Sequence, residues 1–155
     1  MASQSTSQST GTADNKATHT ESAEVLSKAR REAEEFWPVI GLPKGASKAP
    51  VSDACTTSIC EAKRVQFVRN DWPKAWRGDH QGQVNAAFCR RTGCNGAVVI
   101  DKVDACAWRL VVARSRSSDS GDMDARNLKT DCGDLDQFGL EAAQSRAQGY
   151  VAGPA

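Results

Sequence analysis

Residues 78–108 read GDHQGQVNAAFCRRTGCNGAVVIDKVDACAW, and the punctuation of this stretch decides the fold. From Asp79 onward, Val84, Ala87, Phe88 and Arg91 follow along one helical stripe. Gly93 falls where a left-handed terminating residue is wanted, so a helix over 79–92 is expected. Asp101 can cap a second helix, whose stripe of Val103, Cys106, Leu110 and Ala113 is widened by Ala105, Trp108 and Val112. A stripe that broad suits a helix with two neighbours. The expectation is an all-α fold of stacked antiparallel helix hairpins, a short α-solenoid of about two repeats.

Outward from the hairpin, a short helix is expected from Glu61 to about Asn70 with Ala62, Val65 and Val68 on one face. Asp71-Trp72-Pro73 reads as a cap and an early-turn proline that restart the helix toward Trp76, and Gly78 stops it. Downstream, a polar loop at 115–121 precedes a helix near 124–131 presenting Leu128 and Cys132. A last helix from about Asp136 carries Leu140, Ala143, Ala147 and Tyr150. The first third has a different character. Residues 1–20 are Ser/Thr-rich and read as a disordered arm, 21–37 as a helix on Leu26, Ala29, Ala33, Phe36 and Trp37. Pro38, Gly41, Pro43, Gly45 and Pro50 make 38–54 a linker, which leaves one domain over 55–150.

No apolar run approaches the roughly 18 to 20 residues of a membrane helix, and residues 1–20 hold no leader-like apolar segment. The chain reads as soluble and without a membrane partner, and a periplasmic or secreted location would require a leader upstream. Charge is uneven although the net is +1: residues 55–116 hold 11 basic and 5 acidic groups, residues 117–155 hold 3 and 7. An acidic tail packed beside a basic hairpin explains this best. The rival is an interaction surface of Lys63, Arg64, Arg69, Lys74 and Arg77 interleaved with Trp72 and Trp76, which could pair phosphates and stack bases. The domain lacks the strongly basic balance that accompanies nucleic-acid binding, so another protein is the favoured partner.

The six cysteines, Cys55, Cys60, Cys89, Cys94, Cys106 and Cys132, admit three explanations. Cys89 and Cys106 lie about equally far from the hairpin turn, so a disulfide between them could staple the two helices, although six cysteines permit fifteen pairings. Cys55, Cys60, Cys89 and Cys94 come near a zinc pattern with spacing wider than usual, and disulfides or buried thiols are preferred to it. Redox catalysis would want closer pairs at a helix N-terminus. Cys55-x4-Cys60 recurs as Cys89-x4-Cys94 at an offset of 34 residues, which Val65 and Val99 also keep, and periods in the thirties are typical of helix–turn–helix repeats.

These residues resemble the Sel-one-like repeats, relatives of the tetratricopeptide repeats. Gly78, Asp79, Gln83 and Ala87 match the first helix, with Gly82 in place of an alanine; Gly93 and Gly96 match the turn; Asp101, Ala105 and Trp108 hold the spacing of the second helix. Residues 125–147 look like the terminal helices that close such arrays. The resemblance implies a right-handed stack of helix pairs that binds other proteins, without catalysis and without a cofactor. The residues themselves supply little for catalysis. His80 beside Asp79 reads as an exposed first-turn residue rather than a base, and Asp119, Asp122 and Asp124 lack the glycine and glutamate of a calcium loop. Trp76 and Trp108 are expected in the core, with Trp72 undecided between core and anchor. The alternative function is a small cysteine-dependent protein, metal-binding or redox-responsive.

Overall fold

The computed structural model describes residues 42–115 and 121–152, with residues 24, 25 and 28 before them. The expected disordered arm, most of the 21–37 helix and most of the 115–121 loop lie outside the described residues. Helix α1 (Ser58–Gln66) runs through a π-helical segment (Phe67–Asp71) into α2 (Trp72–Trp76); α3 (His80–Thr92), α4 (Lys102–Arg114), α5 (Asp122–Gly133) and α6 (Gln137–Ala152) follow. Among the described residues, none of these helices is long and apolar enough to cross a membrane.

The caps of the central hairpin α3–α4 do what their side chains dictate. Asp79 is extended and its carboxylate accepts the Gly82 N–H at 2.8 Å, while Asp101 accepts the Asp104 N–H at 3.0 Å. Gly93 ends α3 at φ 82°, in the left-handed region that costs glycine nothing. The contact face of α3 differs from the expected stripe. Gly82, Gln83, Ala86, Ala87, Cys89 and Arg90 are buried, whereas Phe88 is 53% exposed. Close approach explains the difference: a Cβ on Gly82 would lie 2.7 Å from both Ala75 N and Lys74 Cβ, so α2 packs where α3 has no side chain. The small residues set the interface, and the larger ones are turned away from it.

Upstream, two expectations are corrected. Helix α1 starts at Ser58, where Thr57 accepts the Cys60 N–H at 3.1 Å, and its inward residues are Cys60, Glu61 and Arg64 rather than Ala62. Glu61 and Arg64 pair at 3.4 Å inside the fold, which lets charged residues take the face that periodicity gave to apolar ones. At Asp71 the helix does not stop and restart. The Trp72 N–H bonds to the Phe67 carbonyl five residues back, and this π turn carries the helix to Pro73, whose missing N–H would break an α-type ladder. Asp71 caps nothing; its buried carboxylate accepts from Asn85 Nδ2 at 3.1 Å. Burial pushes the Asp71 pKa up, and hydrogen bonds from Asn85 and Asn70 with the charges of Lys74 and Lys63 offset only part of that rise.

Helix α4 is the hub. It packs on α3, α5 and α6, and eight of its 13 residues are buried because those three neighbours surround it. Residues 42–54, expected as a linker, lie against the hairpin turn: Val51 bridges Val98, the Ser52 N–H bonds to the Ala97 carbonyl and the Val99 N–H to the Pro50 carbonyl, each at 2.8 Å. Trp72 Nε1 donates to the Ser47 carbonyl at 2.7 Å, fixing this segment over α2. Trp108 centres an aromatic cluster, stacked on Tyr150 at 4.0 Å and edge-on to Trp72 and Trp76 at 5.5 and 6.0 Å.

All six cysteines are paired, as Cys55–Cys60, Cys89–Cys94 and Cys106–Cys132. The expected Cys89–Cys106 staple is therefore corrected. Cys89 in the last turn of α3 reaches Cys94 around the Gly93 turn, with Cα atoms 4.9 Å apart, while Cys106 faces α5 and meets Cys132 at 4.8 Å. The two five-residue pairs also occupy opposite ends of helices, Cys60 in the first turn of α1 and Cys89 in the last turn of α3, so their 34-residue offset does not mark one repeated structural position. Only Cys106–Cys132 joins two of the long helices. Chain-entropy arithmetic gives that bridge, spanning 26 residues, about 3.5 kcal/mol and a five-residue bridge about 2 kcal/mol. Replacing Cys106 and Cys132 by serine together is accordingly expected to lower the denaturant-unfolding free energy more than the same change at Cys89 and Cys94. Equal losses would contradict the ranking.

Candidate functional site

A cleft of about 600 Å³ opens between the 45–50 segment, α2, the start of α4 and α6. Its walls are placed by the features already described. The π turn continues the α1 helix into α2 and sets Trp72 and Trp76 along one side; the Asp101 cap begins α4 at the floor; α6 brings Arg146, Gly149 and Tyr150 across from them. Trp76 and Tyr150 meet edge-on at 5.0 Å, and both rings line the cleft.

The polar floor is a closed network. Arg90 of α3 donates from Nε to Asp104 at 2.6 Å, from Nη2 to Asp101 at 3.1 Å and from Nη1 to the Val99 carbonyl at 2.6 Å. Arg146 of α6 donates to Asp101 at 2.8 Å and lies 3.7 Å from Asp104 Oδ1, the oxygen that also receives the Tyr150 hydroxyl. Three helices and the hairpin turn are thus tied at one point. Burial raises the Asp101 pKa, but the Arg146 hydrogen bond, the Asp104 N–H and the charges of Arg146 and Arg90 outweigh it and hold the carboxyl below its usual range. The same contact raises Arg146 further, and Tyr150 is pushed well above an ordinary phenol by burial, by the Asp104 charge and by its hydrogen bond to Asp104. Asp101, Arg146 and Tyr150 are thus each pushed away from a charge change in the neutral range.

Gly149 has a different meaning from Gly82 or Gly93. It sits inside a 16-residue helix, where glycine costs roughly 1 kcal/mol relative to alanine, and a Cβ there would meet no atom within 4 Å. Packing against the described residues does not require it, and it lines the cleft beside Arg146 and Tyr150.

A second network lies on the far side of α4. Asp131 of α5 accepts from Arg91 at 2.5 Å and from Arg109 at 2.8 Å, and Arg91 also reaches Asp134 at 3.2 Å. His80 Nε2 lies 2.8 Å from Asp124 Oδ2 and bridges α3 to α5, so it is a partly buried pairing residue and not the exposed one expected. These contacts put carboxylates of the acidic tail on the basic hairpin.

The repeat signature is distributed through the fold rather than gathered at the cleft. Asp79 and Asp101 cap, Gln83 donates to the Ala75 carbonyl at 3.2 Å, Ala87, Ala105 and Trp108 are buried, and Gly78, Gly93 and Gly96 take positive φ in the turns. Only Asp101 lines the cleft. Of the proposed interaction surface, Lys63, Arg69, Lys74 and Arg77 are exposed, but Arg64 is buried against Glu61 and Trp72 is buried in the aromatic cluster, which corrects both. Sequence reasoning missed Arg90, Asp104, Arg146 and Lys48 as site residues. Arg90 continues the buried series Gly82-Gln83, Ala86-Ala87 at a spacing of four, but its charge reads as surface in the sequence. Lys48 carried no signal, because nothing local tells that a Pro/Gly stretch folds over α2.

Compared with known proteins, this chain matches no family model, no curated protein and no solved structure. The cleft therefore has to be interpreted from its own geometry.

Proposed function

We propose that this chain is a non-catalytic protein-interaction module of the Sel-one-like repeat type, in which stacked hairpins hold out a cleft to a partner protein. The observation that supports it most is the way the cleft is built: an open, aromatic-walled depression whose charged groups are locked to one another across α3, α4 and α6. Groups locked in this way are preorganised for recognition, which lowers the ordering cost of binding. They are poorly suited to proton transfer near neutral pH, where a general base must change charge state. The cysteine-dependent alternative is less well supported, since all six thiols are consumed in disulfides, and those three bridges fit folding in an oxidising compartment.

Selection of a random peptide library on the oxidised protein tests this. The expected result is an enriched sequence that binds in the micromolar range and loses about tenfold in affinity when Trp76 is replaced by alanine. Failure to enrich any sequence, or equal binding to Trp76→Ala, would overturn the assignment of the cleft as the recognition site.

A further inference from the structure

We infer that the Cys89–Cys94 bridge is a site of thiol–disulfide exchange with a small dithiol, and that opening it releases the 49–52 stretch from the hairpin turn and so changes one wall of the cleft. This goes beyond the interaction function proposed above, and its readout needs no peptide ligand.

The three bridges hold unlike things. Cys106–Cys132 ties two long helices, with Cys106 fully buried between them. Cys55–Cys60 closes onto the first turn of α1, where Thr57 is an ordinary extended cap. Cys89–Cys94 instead pins a turn in which Gly93, Cys94, Asn95 and Gly96 all take positive φ, at 82°, 44°, 62° and 83°. Glycine adopts that region freely and asparagine tolerates it, but cysteine enters it against the clash of its own Cβ. The non-covalent hold on Cys94 is slight: its carbonyl accepts the Ala97 N–H at 3.2 Å and its N–H reaches Thr92 Oγ1 at 3.3 Å. The link to Cys89 is what keeps left-handed the one residue of the four that has no preference for it.

That turn carries the cleft wall. The Val98 N–H closes it onto the Gly93 carbonyl at 3.0 Å, and the residues beside Val98 hold the 49–52 stretch: the Ala97 carbonyl accepts the Ser52 N–H and the Val99 N–H reaches the Pro50 carbonyl, both at 2.8 Å. Pro50 lines the cleft, and the Val99 carbonyl accepts Arg90 Nη1 of the cleft floor at 2.6 Å. A change of hand at Cys94 re-aims residues 97–99, so these bonds do not all survive it.

Access sets the order in which the bridges open. A cavity of about 180 Å³ between α1 and α3 is lined by both Cys89 and Cys94, and neither Cys55 nor Cys60 lines it. A Cβ on Gly96 would lie 3.7 Å from Cys60 Sγ, so the same turn lies against that sulfur. A dithiol entering the cavity therefore meets Cys89–Cys94 first. Its thiolate attacks Cys89 Sγ, and the S–S bond breaks with its electron pair on Cys94 Sγ, which lies 3.8 Å from the Thr92 hydroxyl and takes a proton. The second thiol of the reagent, as thiolate, then attacks the reagent's own sulfur in the mixed disulfide. Cys89 leaves and is protonated, and the reagent departs as a cyclic disulfide. Two electrons have passed to the bridge, and the two protons of the dithiol end on the two cysteines.

Titration of the oxidised full chain with dithiothreitol, trapped by alkylation and mapped by peptide mass, should show Cys89–Cys94 opening first. In that species amide hydrogen exchange at Ser52 and Val99 should be faster by about tenfold or more, while the amides of α4 stay protected. Two variants separate the bridge from the backbone it holds. Cys89→Ser with Cys94→Ser should exchange Ser52 and Val99 as fast as the opened protein. Cys89→Ser with Cys94→Gly should protect them again, since glycine takes the left-handed φ without a bridge. Prior opening of Cys55–Cys60 or Cys106–Cys132 would overturn the assignment of the exchange site. Continued protection of Ser52 and Val99 in the opened protein, loss of α4 protection in the same step, or equal exchange in the serine and glycine variants would overturn the link to the cleft wall. A peptide library that enriches nothing would remove the interaction function and leave this exchange site standing.

Discussion

Replacing Asp104 by alanine is expected to lower the unfolding free energy by about 3–5 kcal/mol, the range for breaking one side of a buried ion pair. The size follows from what is left behind. Arg90 donates to Asp104 from Nε at 2.6 Å, and without that carboxylate a buried guanidinium keeps only Asp101 at 3.1 Å and the Val99 carbonyl. The Tyr150 hydroxyl loses its acceptor in the same step. Asp104→Asn should cost less, about 1–3 kcal/mol, because an amide oxygen still accepts while the charge is lost. A double substitution of Arg90→Met with Asp104→Leu should lose less than the two single changes added, since removing both partners leaves no orphaned charge. Denaturant melts of the four proteins measure this. Additive losses would mean that the pair is not coupled and that the network does not hold the cleft floor.

Asp101 adds a pH signature to the same site. Its carboxyl titrates below its unfolded value, so its stabilising contribution is fully present above the unfolded pKa of about 4 and is lost as the pH falls through the lower folded value. Acid melts should therefore show the fold weakening below about pH 4, and Arg146→Gln should shrink that slope by removing the largest group that lowers Asp101.

The central hairpin was legible because its signals are local. A cap aspartate, a helical run and a left-handed glycine act within a few residues of one another, and Gly93 and Asp101 stand where that logic places them. The cleft was not, because each of its parts depends on something distant in the chain. Lys48 matters only because Ser47 accepts the Trp72 indole 25 residues on, and Arg146 only because α6 comes back to Asp101 across 45 residues. Charged residues on buried faces misled the periodicity in the same way. Arg64 reads as surface until Glu61 is seen to neutralise it, and Arg90 until Asp104 does. The cysteines show the limit from the other side: equal distance from a turn suggested Cys89–Cys106, yet a left-handed turn lets Cys89 close on Cys94 and turns Cys106 to α5.

Trp108→Ala is expected to be comparably damaging, at about 3–5 kcal/mol, the range for removing a large buried aromatic side chain. Trp108 is 1% exposed and is the ring on which the others converge: Tyr150 stacks flat on it at 4.0 Å, and Trp72 and Trp76 present edges to it. Its loss leaves a cavity that backbone movement cannot readily fill, because α4 is fixed by Asp101 and Asp104 on one side and by the Cys106–Cys132 bridge on the other. Trp108→Phe keeps a ring in the stack and should lose markedly less. The damage should also reach the cleft. Tyr150 is held from behind by Trp108 and from the side by Asp104, so a variant lacking the indole frees the tyrosine ring while its hydroxyl bond remains. Near-ultraviolet circular dichroism should therefore lose intensity in Trp108→Ala under conditions where far-ultraviolet helicity is retained, and peptide affinity should fall with it. If affinity instead survives in the folded variant, the wall formed by Trp76 and Tyr150 is self-supporting and the core does not shape the site.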